Sequence, residues 1–257
     1  MLGGGKRARN YSSEGWLDLP HPMNPLAKRL SGSPVAARVV PFVLFCAITW
    51  FQGKLGRDSQ YWVYLAKTIL GAWMVWAVRP LWSEMEWRCS WEGVAAGILV
   101  FGLWVGLDGL YPGLDQLLGG KHGRGGPAGD PTSWNLARDF VAGSGAFCFF
   151  GGLRVIGSAL VVPPLEEIFF RSFFYRYLIA SDFMEVPLSR FNWRAFVLAA
   201  LFFGAEHNEW LAGILCACVY QGLVCWKGRL GDAVTAHAVT NFLLGCWVIW
   251  RGAWAFW

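Results

Sequence analysis

From Val35 to Trp250 the chain is a succession of eight apolar stretches parted by polar turns. Most are about as long as the 17–25 residues a helix needs to cross a bilayer. A backbone in lipid has to satisfy its own hydrogen bonds, so runs of this kind restrict the chain to membrane helices. The stretches cover 35–51, 61–82, 91–111, 140–162, 164–181, 192–206, 210–226 and 230–250. The fold expected is all-α, a polytopic membrane helical bundle of about eight transmembrane helices. Composition agrees: 15% of the 257 residues are charged, where a soluble domain carries about a quarter. The net charge of +5 lies largely in the N-terminal arm. It suits an orientation signal in contact with anionic lipid, not a nucleic-acid footprint.

Three regions are expected. Residues 1–34 form a basic cytoplasmic arm with Lys6, Arg7, Arg9, Lys28 and Arg29; no cleavable signal peptide is expected there. Residues 35–134 hold the N-terminal transmembrane helices and a Gly-rich loop, and 135–257 a C-terminal catalytic helical core. The run from Gly119 to Pro127 lacks the Gly-Lys-Ser/Thr ending of a phosphate-binding loop, and His122 reads as a solvated loop histidine. None of the seven cysteines forms a Cys-x-x-Cys pair, so they read as small buried hydrophobes. Lys67 reads as snorkelling to an interface, while Arg154 either snorkels or pairs inside the bundle.

The polar groups within the C-terminal stretches carry the functional reading. Pro163-Pro164 closes one stretch and opens the next helix, whose first turn holds Glu166 and Glu167. Arg171 is the i, i+4 neighbour of Glu167, so one acid is tied down and the other is available. His207 follows Phe203 by one turn, and His237 shares a face with Asn241. Each has a bland reading: charges at a membrane edge, a satisfied core histidine, an interhelical asparagine. Their joint occurrence at membrane depth, where each ionisable group costs about 2.5–3.5 kcal/mol, argues for a working cavity. Glu206 and Glu209 read as marking the membrane edge. A carboxylate facing an imidazole can take a proton from water, and an imidazole with a carboxamide can steady an oxyanion. That division assigns Glu166 and His207 to water, and His237 and Asn241 to the oxyanion. No cofactor is then required; the alternative is a divalent metal such as zinc on Glu166, His207 and His237.

Taken in order, Glu166-Glu167-x-x-x-Arg171, Phe203-x-x-x-His207 and His237-x-x-x-Asn241 resemble the motifs of the CAAX protease and bacteriocin-processing (CPBP) family of integral-membrane endopeptidases. The resemblance spans roughly residues 160–245. It implies that Glu166 is the general base, His207 its partner and His237 with Asn241 the oxyanion hole, with Glu167, Arg171 and Phe203 in support. Ser172 stands where many members have glycine. The residues around the motifs further resemble a bacterial subgroup associated with exosortase sorting of surface proteins. That implies a bacterial plasma-membrane enzyme whose partners are the bilayer and a membrane-anchored protein or peptide substrate, without nucleic acid. A non-proteolytic scaffold or immunity-type binding protein of the same family is the alternative. A proton-coupled transporter is third, disfavoured because no inverted repeat is visible.

Overall fold

The structure is a computed structural model describing residues 23–56, 58–119 and 134–257. The arm as far as residue 22 and the run 120–133, with His122, lie outside the described residues. After the short α1 (Pro25–Leu30) come α2 (Pro34–Phe51), α3 (Ser59–Val78) and α4 (Trp91–Gly106). Two one-turn pieces follow, α5 (Leu114–Leu117) and α6 (Leu136–Asp139). Next come α7 (Gly145–Leu160) and α8 (Val162–Glu167), which runs through a π-helical segment, Ile168–Phe174, into α9 (Tyr175–Tyr177). The chain ends in α10 (Trp193–Ala205), α11 (Trp210–Lys227) and α12 (Gly231–Arg251). There is no strand among the described residues.

Local chemistry sets the ends of these helices. The side chains of Ser33, Ser90, Ser144 and Asn192 accept backbone N–H groups at the starts of α2, α4, α7 and α10. Gly228 and Gly252 close α11 and α12 in the left-handed region, φ 69° and 64°, which glycine enters without a Cβ clash. Pro41 lies inside α2 and cannot donate to Ala37, four residues back. The carbonyl of Ala37 takes the Trp82 indole N–H instead, at 3.0 Å.

All eight expected stretches are helical, but they do not make eight separate spans. The fourth and fifth run on as one 33-residue apolar unit, Gly145–Tyr177. Pro163 and Pro164 fall in the first turn of α8, where a missing N–H leaves no helical bond unmade. Val161 between the two helices still bonds the Gly157 carbonyl at 3.0 Å. Among the described residues five helices are long and apolar enough to cross a membrane: Pro34–Phe51, Ser59–Leu81, Gly145–Tyr177, Trp210–Lys227 and Gly231–Arg251. Trp91–Gly106 and Trp193–Ala205 are apolar but shorter.

In the interior, α12 packs on α4, α7, α8 and α11, and α10 packs on α11. The approach of α4 to α12 depends on Gly97, where an added Cβ would lie 2.5 Å from the Ala236 carbonyl oxygen. Outward surfaces of the bundle are apolar, with Trp62, Trp73, Trp76, Phe149, Trp226 and Phe242 among the exposed side chains. In water such a belt would be a liability; in hydrocarbon it is the matching solvent. The protein is an integral membrane protein. The cysteines depart from expectation. All seven are free, but only Cys216 is buried, while Cys46, Cys89, Cys148 and Cys246 are exposed. An apolar run in a membrane helix has a lipid side as well as a core side, so apolar neighbours do not imply burial.

Candidate active site

The four side chains singled out on three separate helices line one cavity of about 240 Å³: Glu166 on α8, His207 after α10, His237 and Asn241 on α12. The two adjacent carboxylates are treated differently. Glu167 is fully buried and satisfied, with Oε2 accepting from Arg171 Nε at 3.1 Å and Oε1 lying 3.0 Å from His237 Nδ1. The Glu166 side chain keeps 17% of its surface exposed, and its Oε2 has no hydrogen-bond partner among the described residues. One acid is therefore structural and the other faces the cavity. The pitch changes just after them, from α to π at Ile168. Single π turns inside α-helices recur at functional sites.

Arg171 is buried to 0% and uses only Nε in hydrogen bonding; Nη1 and Nη2 have no such partner among the described residues. Its guanidinium lies over the Phe203 ring at 4.8 Å, a cation–π contact in place of a second carboxylate. Phe203 has a second task. Its carbonyl, near the end of α10, lies 2.8 Å from His207 Nδ1, so the imidazole caps that helix. Because a carbonyl only accepts, Nδ1 carries the hydrogen and Nε2 is the bare nitrogen of the neutral ring.

His237 is the ring beside Glu166, with Nε2 and Glu166 Oε2 3.9 Å apart. That is too far for a direct hydrogen bond. With Arg171 on its other oxygen, Glu167 acts as acceptor, which places a hydrogen on His237 Nδ1. Among the described residues no hydrogen bond or ion pair joins His207 to Glu166. Asn241 donates from Nδ2 to the Ser158 carbonyl at 2.9 Å. This fixes the carboxamide and leaves its second N–H for another acceptor.

Several lining residues had no signal in the sequence. Tyr220 stacks on His237 with ring centroids 5.3 Å apart, and its hydroxyl donates to Thr240 at 2.8 Å. Trp104 of α4 meets His207 edge-on at 5.3 Å. Glu206 is exposed at the end of α10, as an edge residue should be, whereas Glu209 is buried and lines the cavity. Lys67 and Arg154 also line it, so Arg154 faces inward. Among the described residues no group of three or more His, Cys, Asp and Glu side chains converges as a metal-binding set. A metal on Glu166, His207 and His237 would need those side chains to draw together.

Residues 149–243, from α7 into α12, match the family model described as type II CAAX prenyl endopeptidase, Rce1-like. The matched segment carries Glu166, Glu167, Arg171, Phe203, His207, His237 and Asn241. No curated protein and no solved structure matches the chain.

Proposed function

We propose, for a chain whose residues 149–243 match the type II CAAX prenyl endopeptidase model, the activity of an intramembrane endopeptidase that hydrolyses a peptide bond of a membrane-associated protein. The observation that carries this reading is the single cavity shared by Glu166, His207, His237 and Asn241, with one carboxylate satisfied in the wall and its neighbour open to the interior.

In this reading Glu166 is the general base. Water in the cavity donates one hydrogen to Glu166 and is oriented by an imidazole nitrogen, His207 Nε2 being the bare one. Attack on the carbonyl carbon moves the water proton to Glu166 and opens the C=O bond to an oxyanion. The free N–H of Asn241 and the Nε2 side of His237 stabilise that charge. For His237 to donate there the ring has to hold both protons, because Nδ1 is committed to Glu167. Glu166 then returns its proton to the leaving amine as the C–N bond breaks. Glu167, Arg171 and Phe203 are positioning residues that hold His237 and His207 in place.

The substrate in this account is a membrane-anchored or sorted surface protein, cut in a bacterial plasma membrane with the N-terminal arm on the cytoplasmic side. The test is quantitative proteomics of membrane-protein C-termini in cells carrying either the wild-type chain or Glu166→Ala. New termini should vanish in the variant; unchanged termini would rule the reading out. A cleavage assay on the purified protein should be insensitive to chelator, and loss of turnover restored by zinc would favour the metal alternative.

A further inference from the structure

The cavity holds two cations that the proposed chemistry does not use. Arg154 of α7 and Lys67 of α3 line it together with Glu166, His207, His237 and Asn241. Neither has an acidic partner among the described residues. Lys67 Nζ, buried, bonds the Thr49 hydroxyl at 3.0 Å. The Arg154 guanidinium sits against three aromatic faces, Trp134 at 4.7 Å, Tyr64 at 5.0 Å and Trp257 at 5.4 Å. Rings fix a guanidinium by its face and consume none of its five in-plane N–H donors. The pair is also held from behind. The Tyr64 hydroxyl donates to the Arg154 carbonyl at 3.1 Å, and α3 approaches closely because position 157 is glycine, where a Cβ would lie 2.9 Å from the Tyr64 oxygen.

Uncompensated cations at membrane depth are costly and are kept where they meet a ligand. We propose that Arg154 and Lys67 form an anion subsite of the cavity that takes a carboxylate. The planar fork of arginine suits the two oxygens of a carboxylate. A monoanion also fits better than a phosphate dianion in a cavity that already contains Glu166 and Glu209. Ser158, whose carbonyl holds Asn241, is one helical turn beyond Arg154, about 6 Å along the axis at about 1.5 Å per residue. The subsite therefore lies close to the reacting centre. Two sources can bring that group: the free terminus of a peptide substrate, which extends the endopeptidase reading and rests on it, or the headgroup of a free fatty acid.

The experiment measures binding to the full-length Glu166→Gln protein in phosphatidylcholine nanodiscs, so that no turnover interferes. The probes are lauroyl-Gly-Ala-Val-Leu as the free acid, the same peptide as its C-terminal amide, and laurate. The acid should bind roughly ten- to a hundredfold tighter than the amide, as expected for charge-assisted hydrogen bonds. Adding Arg154→Met or Lys67→Met should erase the difference, while Arg154→Lys retains part of it. Laurate displacing the acid peptide at equal concentration assigns the subsite to fatty acid; laurate failing to do so assigns it to a peptide terminus. Equal binding of acid and amide, absence of saturable binding by the acid, or a preference that survives Arg154→Met overturns the proposal. Arg154→Met and Lys67→Met should still bind the amide as the Glu166→Gln protein does, an outcome that a folding defect would not give. A preserved preference in a chain without cleavage activity would overturn only the endopeptidase reading.

Discussion

Adjacent carboxylates with different surroundings divide structure from chemistry at the residue scale. Glu167 bridges Arg171 and His237 in a fully buried pair. Glu167→Gln leaves a buried guanidinium without its counter-charge, and removal of one partner of such a pair costs about 3–5 kcal/mol. Thermal melting in detergent should show this as a large loss of stability. The double variant Glu167→Gln/Arg171→Met should recover part of it, because no charge is then left uncompensated. The motif spacing made the Glu167–Arg171 pair readable, since i, i+4 on a helix is local geometry. It could not reveal that His237, from a distant helix, is the ring next to Glu166, nor that Tyr220 and Trp104 back the two imidazoles. Those neighbours exist only once α4, α11 and α12 are packed.

Two contacts between elements help to place the helices that carry the cavity residues. The first is the cluster of Arg38, Glu84, Ser172 and Arg176. Glu84 Oε1 accepts from Arg38 at 2.6 Å and Arg176 at 3.2 Å, and the Ser172 hydroxyl bonds it as well. Ser172→Gly, which installs the residue common in the family, should lower the melting temperature by an amount equivalent to about 1 kcal/mol, the worth of a typical hydrogen bond. Burial alone pushes the Glu84 carboxyl up, but Arg38, Arg176 and Ser172 together bring it below its ordinary value of 4.5. The stability owed to its charge is complete above the unfolded-state pKa and fades as pH falls through the lower folded-state value. Melting curves from about pH 6 to about pH 3 should fall for the wild type and be flatter for Glu84→Gln. The second contact is Gly97 against α12. Gly97→Val inserts side-chain atoms where Val239 Cβ would already be 2.7 Å from an added Cβ, an overpacking that costs about 1–3 kcal/mol. It should also lower activity, because α12 carries His237 and Asn241. Sequence patterning made the helices themselves legible, from apolar runs parted by polar turns. The fusion of the fourth and fifth stretches was not legible, because a proline pair reads as a break unless the two prolines, which lack N–H groups, are known to fall in a first turn.

The whole molecule is a membrane bundle whose apolar exterior faces lipid and whose Glu166, His207, His237 and Asn241 line one shared interior cavity. The arm ending in Lys28 and Arg29 should place the N-terminus in the cytoplasm. A reporter fused there should be active only in its cytoplasmic form, and an active periplasmic form would reverse the orientation. The central claim is that Glu166 performs the chemistry while the fold holds it open to that cavity. Its most direct test is the cleavage rate of Glu166→Gln, reconstituted in lipid with a substrate identified from the wild type, read beside its melting curve. A loss of at least about a hundredfold in rate, the lower range for a general base, is expected at an essentially unchanged melting temperature. Turnover within a few-fold of wild type in a folded Glu166→Gln protein would contradict it.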